Sequence, residues 1–109
     1  MLNQIILVGR LVNDPTIEEL ESGKKVSNIT LAVQRCYKNT EGMYDTDFID
    51  CTLWTGIAEN TCEYCKKGDV IGVKGRIQTR VIEDDKKVME VVAEKVTFLS
   101  SKAPKEDAE

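Results

Sequence analysis

Residues 47–82 read DFIDCTLWTGIAENTCEYCKKGDVIGVKGRIQTRVI, and three patterns follow one another within them. From 47 to 54 the residues alternate, Asp47, Ile49, Cys51 and Leu53 against Phe48, Asp50, Thr52 and Trp54, which is the period of a strand. From 56 to 67 the spacing becomes helical: Ile57, Ala58, Cys62 and Cys65 recur every three or four residues, and Lys66-Lys67-Gly68 closes the segment with cations and a glycine. From 69 to 82 the strand period returns, with Ile71, Val73, Ile77 and Val81 on one parity and Gly72 and Gly75 suited to sharp bends.

Upstream, residues 3–12 are apolar on both parities, which predicts a short strand buried on both sides and ended by Asp14-Pro15. Residues 16–25 are polar and acidic and read as a loop. Residues 26–37 form a second strand, in which Ile29, Leu31 and Val33 alternate with Asn28, Thr30 and Ala32, and a hairpin loop follows at 38–42. Downstream, 83–86 is a turn and 87–99 a fifth strand. Residues 100–109 have no apolar anchor beyond alanine and are expected to be disordered. Five strands with one short helix between the third and fourth predict an all-β fold, a five-stranded Greek-key barrel of the OB type. No linker or repeat divides the chain, so one domain is expected over 1–100, with a polar tail at 101–109.

Composition narrows the chemistry. Fifteen Lys and Arg against nineteen Asp and Glu give a net charge of −4, so a polyanion has to be met by a local basic face rather than by overall charge. The chain has no histidine, which excludes Ser-His-Asp and Cys-His catalysis and mixed Cys/His zinc sites. Cys62 and Cys65 form one Cys-x-x-Cys pair, but Cys36 and Cys51 supply no second pair of that spacing, so the two read as small apolar residues of a helix. No metal, cofactor or catalytic residue is expected. The longest run of Ile, Leu and Val spans residues 5–8, far short of a membrane span, and Met1-Leu2-Asn3-Gln4 lacks a basic n-region. The expected compartment is therefore the cytoplasm.

Phe48 and Trp54 share their strand face with Asp50 and Thr52, a mixture that suits a wet platform for stacking planar bases better than a core. Packing at the barrel ends is the plainer account of both rings. On the fourth strand, Lys74, Arg76, Gln78 and Arg80 succeed one another on the non-core parity as a basic stripe, and Arg35, Tyr37 and Lys38 add two cations and a ring beside a loop. Cations interleaved with aromatics suit single-stranded nucleic acid, in which the cations follow phosphates and the rings stack on bases without reading sequence. The carboxylates, including Glu18, Glu19, Glu21, Glu83, Asp84 and Asp85, read as solubilising loop residues.

Over residues 1 to about 100 the chain resembles the bacterial single-stranded DNA-binding protein family. The similar stretches are Met1-Leu2-Asn3, Leu7-Val8-Gly9-Arg10-Leu11, Asp14-Pro15, Ile29-Thr30-Leu31-Ala32-Val33, Asp47-Phe48-Ile49, Ala58-Glu59-Asn60, Lys66-Lys67-Gly68, Gly75-Arg76-Ile77-Gln78-Thr79-Arg80 and Glu90-Val91-Val92-Ala93-Glu94. The resemblance implies stacking roles for Tyr37, Phe48 and Trp54, a homotetramer, association with the nucleoid, and work in replication, recombination or repair. Two positions depart from the pattern: Ile82 stands where the family has a further stacking aromatic, and Asp50 where an uncharged or basic residue suits phosphate. The family's acidic tip with a terminal Pro-Phe, which recruits replication and repair enzymes, is not matched by Lys105-Glu106-Asp107-Ala108-Glu109, so such recruitment is not expected. A second reading makes the barrel a replication-restart adaptor that works mainly through protein contacts, and a third makes it a thiol or metal enzyme built on Cys62 and Cys65.

Overall fold

The computed structural model describes residues 1–100, so the tail expected at 101–109 lies outside the described residues. Six strands and one helix follow in order: β1 (Ile5–Leu11), β2 (Glu18–Glu19), β3 (Lys25–Lys38), β4 (Tyr44–Trp54), α1 (Thr55–Tyr64), β5 (Val70–Ile82) and β6 (Lys86–Phe98). β1, β5, β6, β4 and β3 are neighbours in that order, and β1 meets β3 to close a five-stranded barrel. All pairings are antiparallel except β4 with β6, which run parallel at Cys51↔Val91 and Thr52↔Val92. β2 is a two-residue addition to the edge of β3, inside the stretch read from sequence as loop.

Alternation decides what is inside. Ile29 and Leu31 from β3, Cys51 and Leu53 from β4, Ile71 and Val73 from β5, and Val91 and Ala93 from β6 fill the barrel with Leu11 of β1. α1 covers one end by inserting Ala58 and Thr61, both fully buried, and packs against β3, β4 and β6. Lys25 reaches across to Glu59 at 2.9 Å and ties β3 to the helix. Two glycines answer to close approach. A Cβ on Gly9 would lie 2.8 Å from the Ala32 carbonyl oxygen where β1 and β3 meet, and one on Gly75 would collide with the Val92 carbonyl beside the β5–β6 bulge.

Two expectations from sequence are corrected. β1 is buried on one side only: Leu11 and Gly9 face in, whereas Ile6 and Val8 are 68% and 54% exposed on the outer face. An apolar run on both parities cannot distinguish a strand covered on both faces from one whose outer face a single chain leaves open. The helix is also shorter than 56–67, ending at Tyr64. Beyond it, side-chain oxygens compete for the backbone: Asp69 Oδ2 accepts the Lys66 amide at 3.0 Å and Asp14 Oδ1 accepts the Lys67 amide at 2.7 Å. The chain turns there, Gly68 supplying φ +94° and donating its amide to the Leu11 carbonyl.

Candidate nucleic-acid interface

The outer face of the barrel carries a groove of about 320 Å³ that crosses four strands. β3 contributes Asn28 and Thr30, β4 Asp50 and Thr52, β5 Arg80 and Ile82, and β6 Val88 and Glu90. The register explains the assembly. Asn28↔Thr52 and Thr30↔Asp50 are direct cross-strand partners, and the parallel β4–β6 contact brings Glu90 in beside them, with Arg80 delivered by the β5–β6 hairpin. The polar floor is internally bonded, Thr30 Oγ1 donating to Asp50 Oδ1 at 2.8 Å and Thr52 Oγ1 to Asn28 Oδ1 at 3.3 Å.

Phe48 stands on the same row of β4 as Asp50, Thr52 and Trp54, with successive members about 7 Å apart. Phe48 is 66% exposed and lines an adjoining hollow with Ile5, Ile77 and Met89; Trp54, at the other end of the row, is 38% exposed. Phe48 is thus mostly open to solvent, whereas Trp54 is the more covered of the two rings, and neither is among the buried residues that fill the barrel. Thr55, which follows, takes φ +47°, a left-handed conformation that is costly for a β-branched residue and sets the sharp junction into α1.

The predicted cations separate into distinct environments. Arg80 lies in the groove with its Nε 3.0 Å from Glu90 Oε1, and Gln78 Nε2 donates to the other Glu90 oxygen at 3.2 Å. Arg76, two residues before Gln78 on the same face, is bound to Glu94 at 3.1 Å. Lys74 lies further along β5, opposite Ile6 of β1 on one side and Lys95 of β6 on the other, away from the groove. Arg35 is on the β3–β4 arm, and the pairing Val33↔Asp47 puts it on the face opposite Phe48. There it grips Asp47 through two bonds of 2.9 and 3.0 Å, with Asp45 3.7 Å away. Tyr37 is 63% exposed on the same arm, and the Lys38 ammonium sits 5.9 Å from the centre of the Tyr44 ring. Arg35, Arg76 and Arg80 thus already hold carboxylates, and two of the three cations of the stripe read from one strand are ion-paired once its neighbour is in place.

The Arg35 guanidinium holds the Asp47 carboxyl below its ordinary 3.8 through a hydrogen bond and charge. A lowered folded-state value means that this pair's contribution is fully present above about pH 4 and is lost as pH falls through the depressed value. NMR titration should show Asp47 ionising below 3.8 in the parent and returning to the ordinary range in Arg35→Ala. Equal values in the two proteins would show that the pair is not formed.

Sequence reading missed Tyr44, which extends the row Phe48-Asp50-Thr52-Trp54 backward on the same parity but fell outside the strand as it was bounded. It also missed Glu90 and Met89, whose place in the site comes from β6 pairing and from nothing local. Burial pushes the Cys51 thiol up to about 12 and Cys65 up to about 11, leaving little thiolate at neutral pH, and all four cysteines are free. No group of metal-ligating side chains and no helix long and apolar enough to cross a membrane occurs among the described residues.

The single-strand binding protein family matches the chain over residues 2–99. The chain is 46% identical over 112 aligned positions to single-stranded DNA-binding protein B of Bacillus subtilis, covering 99% of this chain and 98% of that one. It is 47% identical to single-stranded DNA-binding protein 3 of Listeria innocua and to the single-stranded DNA-binding protein of Oceanobacillus iheyensis, covering 94% of this chain and 66% of each relative.

Proposed function

Because the chain belongs to the single-strand binding protein family, we propose that it binds and coats single-stranded DNA without sequence specificity and without catalysis, in replication, recombination or repair. The observation that carries this reading is the exposed row of β4, where Phe48 and Trp54 flank a polar groove containing Arg80. Bases stack on the two rings while Arg80 and Arg76 exchange Glu90 and Glu94 for phosphate. Tyr37, Lys38, Arg35 and Lys74 are proposed as outlying contacts for a strand that continues past the groove. The adaptor reading gains nothing from the relatives, whose names are those of single-stranded DNA-binding proteins.

Titrating the chain with oligo-dT, oligo-U and duplex of equal length, while following Trp54 fluorescence, tests this directly. Quenching that saturates with oligo-dT and is weak with duplex is expected. Tighter binding to duplex would overturn the reading.

The open outer face of β1, with Ile6 and Val8 exposed and pairing to β3 confined to Arg10↔Ala32 and Leu11↔Leu31, supports assembly into a homotetramer. Light scattering at micromolar concentration is expected to return about four times the 12.2 kDa chain mass; one chain mass would contradict it.

A further inference from the structure

We propose that Asp50 gives the groove a base preference, favouring nucleotides whose base edge presents an amine, cytosine above all, over thymine. This rests on the single-strand reading above and adds to it a bias of composition.

Asp50 differs from the other carboxylates around it. Glu90 spends one oxygen on Arg80 and the other on Gln78, and Glu94 faces Arg76. Asp50 has no cation within ion-pair distance among the described residues. Its Oδ1 accepts the Thr30 hydroxyl at 2.8 Å, and no hydrogen bond to Oδ2 is formed among those residues. Thr30 also fixes the carboxylate in place, so it presents a defined acceptor to the groove.

A bare carboxylate accepts hydrogen bonds and donates none, and it repels phosphate. The backbone of a bound strand is therefore expected to follow the Arg80 side of the groove, leaving a base edge over Asp50. Spacing supports the same placement: Asp50 is one step along the outer row from Phe48, about 7 Å, so the nucleotide beside the one stacked on Phe48 arrives at it. Cytosine offers its N4 amine there and can donate to Oδ2. Thymine carries the O4 acceptor at the equivalent position and sets oxygen against oxygen.

The test uses the full chain and its Asp50→Asn variant, each titrated at one fixed salt concentration with oligo-dC and oligo-dT of equal length. Both oligonucleotides are pyrimidine, so stacking differs little between them. The parent is expected to bind oligo-dC about fivefold or more tightly than oligo-dT. Asp50→Asn keeps the size of the side chain and supplies a donor as well as an acceptor, so the ratio should fall toward one, chiefly through tighter binding of oligo-dT. Equal affinities in the parent, or a gain in the variant that is the same for both oligonucleotides, would overturn the proposal while leaving single-strand binding intact. Failure of the parent to bind either oligonucleotide would overturn the single-strand reading, and this proposal with it.

Discussion

Replacing both Phe48 and Trp54 with alanine is expected to weaken binding of oligo-dT by about 2–6 kcal/mol, because each stacked base is worth about 1–3 kcal/mol and the rings sit far enough apart to act separately. The two rings stand three steps apart on one row, or about 20 Å along β4. Each single variant should lose roughly half of the total, and the loss should be the same for a pyrimidine and a purine strand, since every base has a face to stack. Stability should change little in Phe48→Ala, where the ring is two-thirds exposed, and more in Trp54→Ala, where the ring is 38% exposed and loses apolar burial. Fluorescence anisotropy of a labelled oligonucleotide measures the affinities, and urea unfolding checks the fold. Affinities of Phe48→Ala and the double variant within a factor of two of the parent would place the binding surface elsewhere on the barrel.

Arg80 is expected to have the next largest effect. A charge-assisted bond from its guanidinium to phosphate is worth about 1.5–3 kcal/mol, and the lower end applies here because the bond to Glu90 must first be given up. Arg80→Ala should also flatten the dependence of log affinity on log salt by about 0.7, the counterion release of one phosphate contact on a single strand. Glu90→Gln should act in the opposite direction on affinity, because it removes the carboxylate with which phosphate competes for Arg80. Measuring the salt slope for parent and both variants separates these effects. A slope unchanged in Arg80→Ala would mean that this arginine stays with Glu90 in the complex.

Much of the barrel was legible from alternation alone. Ile29, Leu31 and Val33 against Asn28, Thr30 and Ala32 fixed which side of β3 faces inward, and Phe48 and Trp54 were identified as an outward row by the same counting. What could not be read depended on partners distant in sequence. The end of α1 is set by Asp69 and by Asp14, the latter 53 residues from the amide it accepts, so no local helix signal contained it. The neutralisation of Arg76 and Arg80 is a property of the β5–β6 register, which sets Glu94 and Glu90 on the neighbouring strand, where a charge count along β5 does not see them. Arg35 shows the same limit on β3: spacing made it a neighbour of Tyr37 and Lys38, but strand parity turns it to the face away from Phe48 and gives it to Asp47. The open outer face of β1 was hidden for a different reason, since apolar residues on both parities are compatible with either one covered face or two.

In the complex proposed for this chain, a single strand lies along the β4 row and the groove beside it. Photocrosslinking the full chain to an oligo-dT containing 5-iodo-deoxyuridine, with the attached peptides mapped by mass spectrometry, locates the bound strand. Crosslinks at Phe48 and Trp54 are the predicted result. Crosslinks confined to the Tyr64 and Phe98 rings, which pack together 6.0 Å apart between α1 and β6, would contradict it.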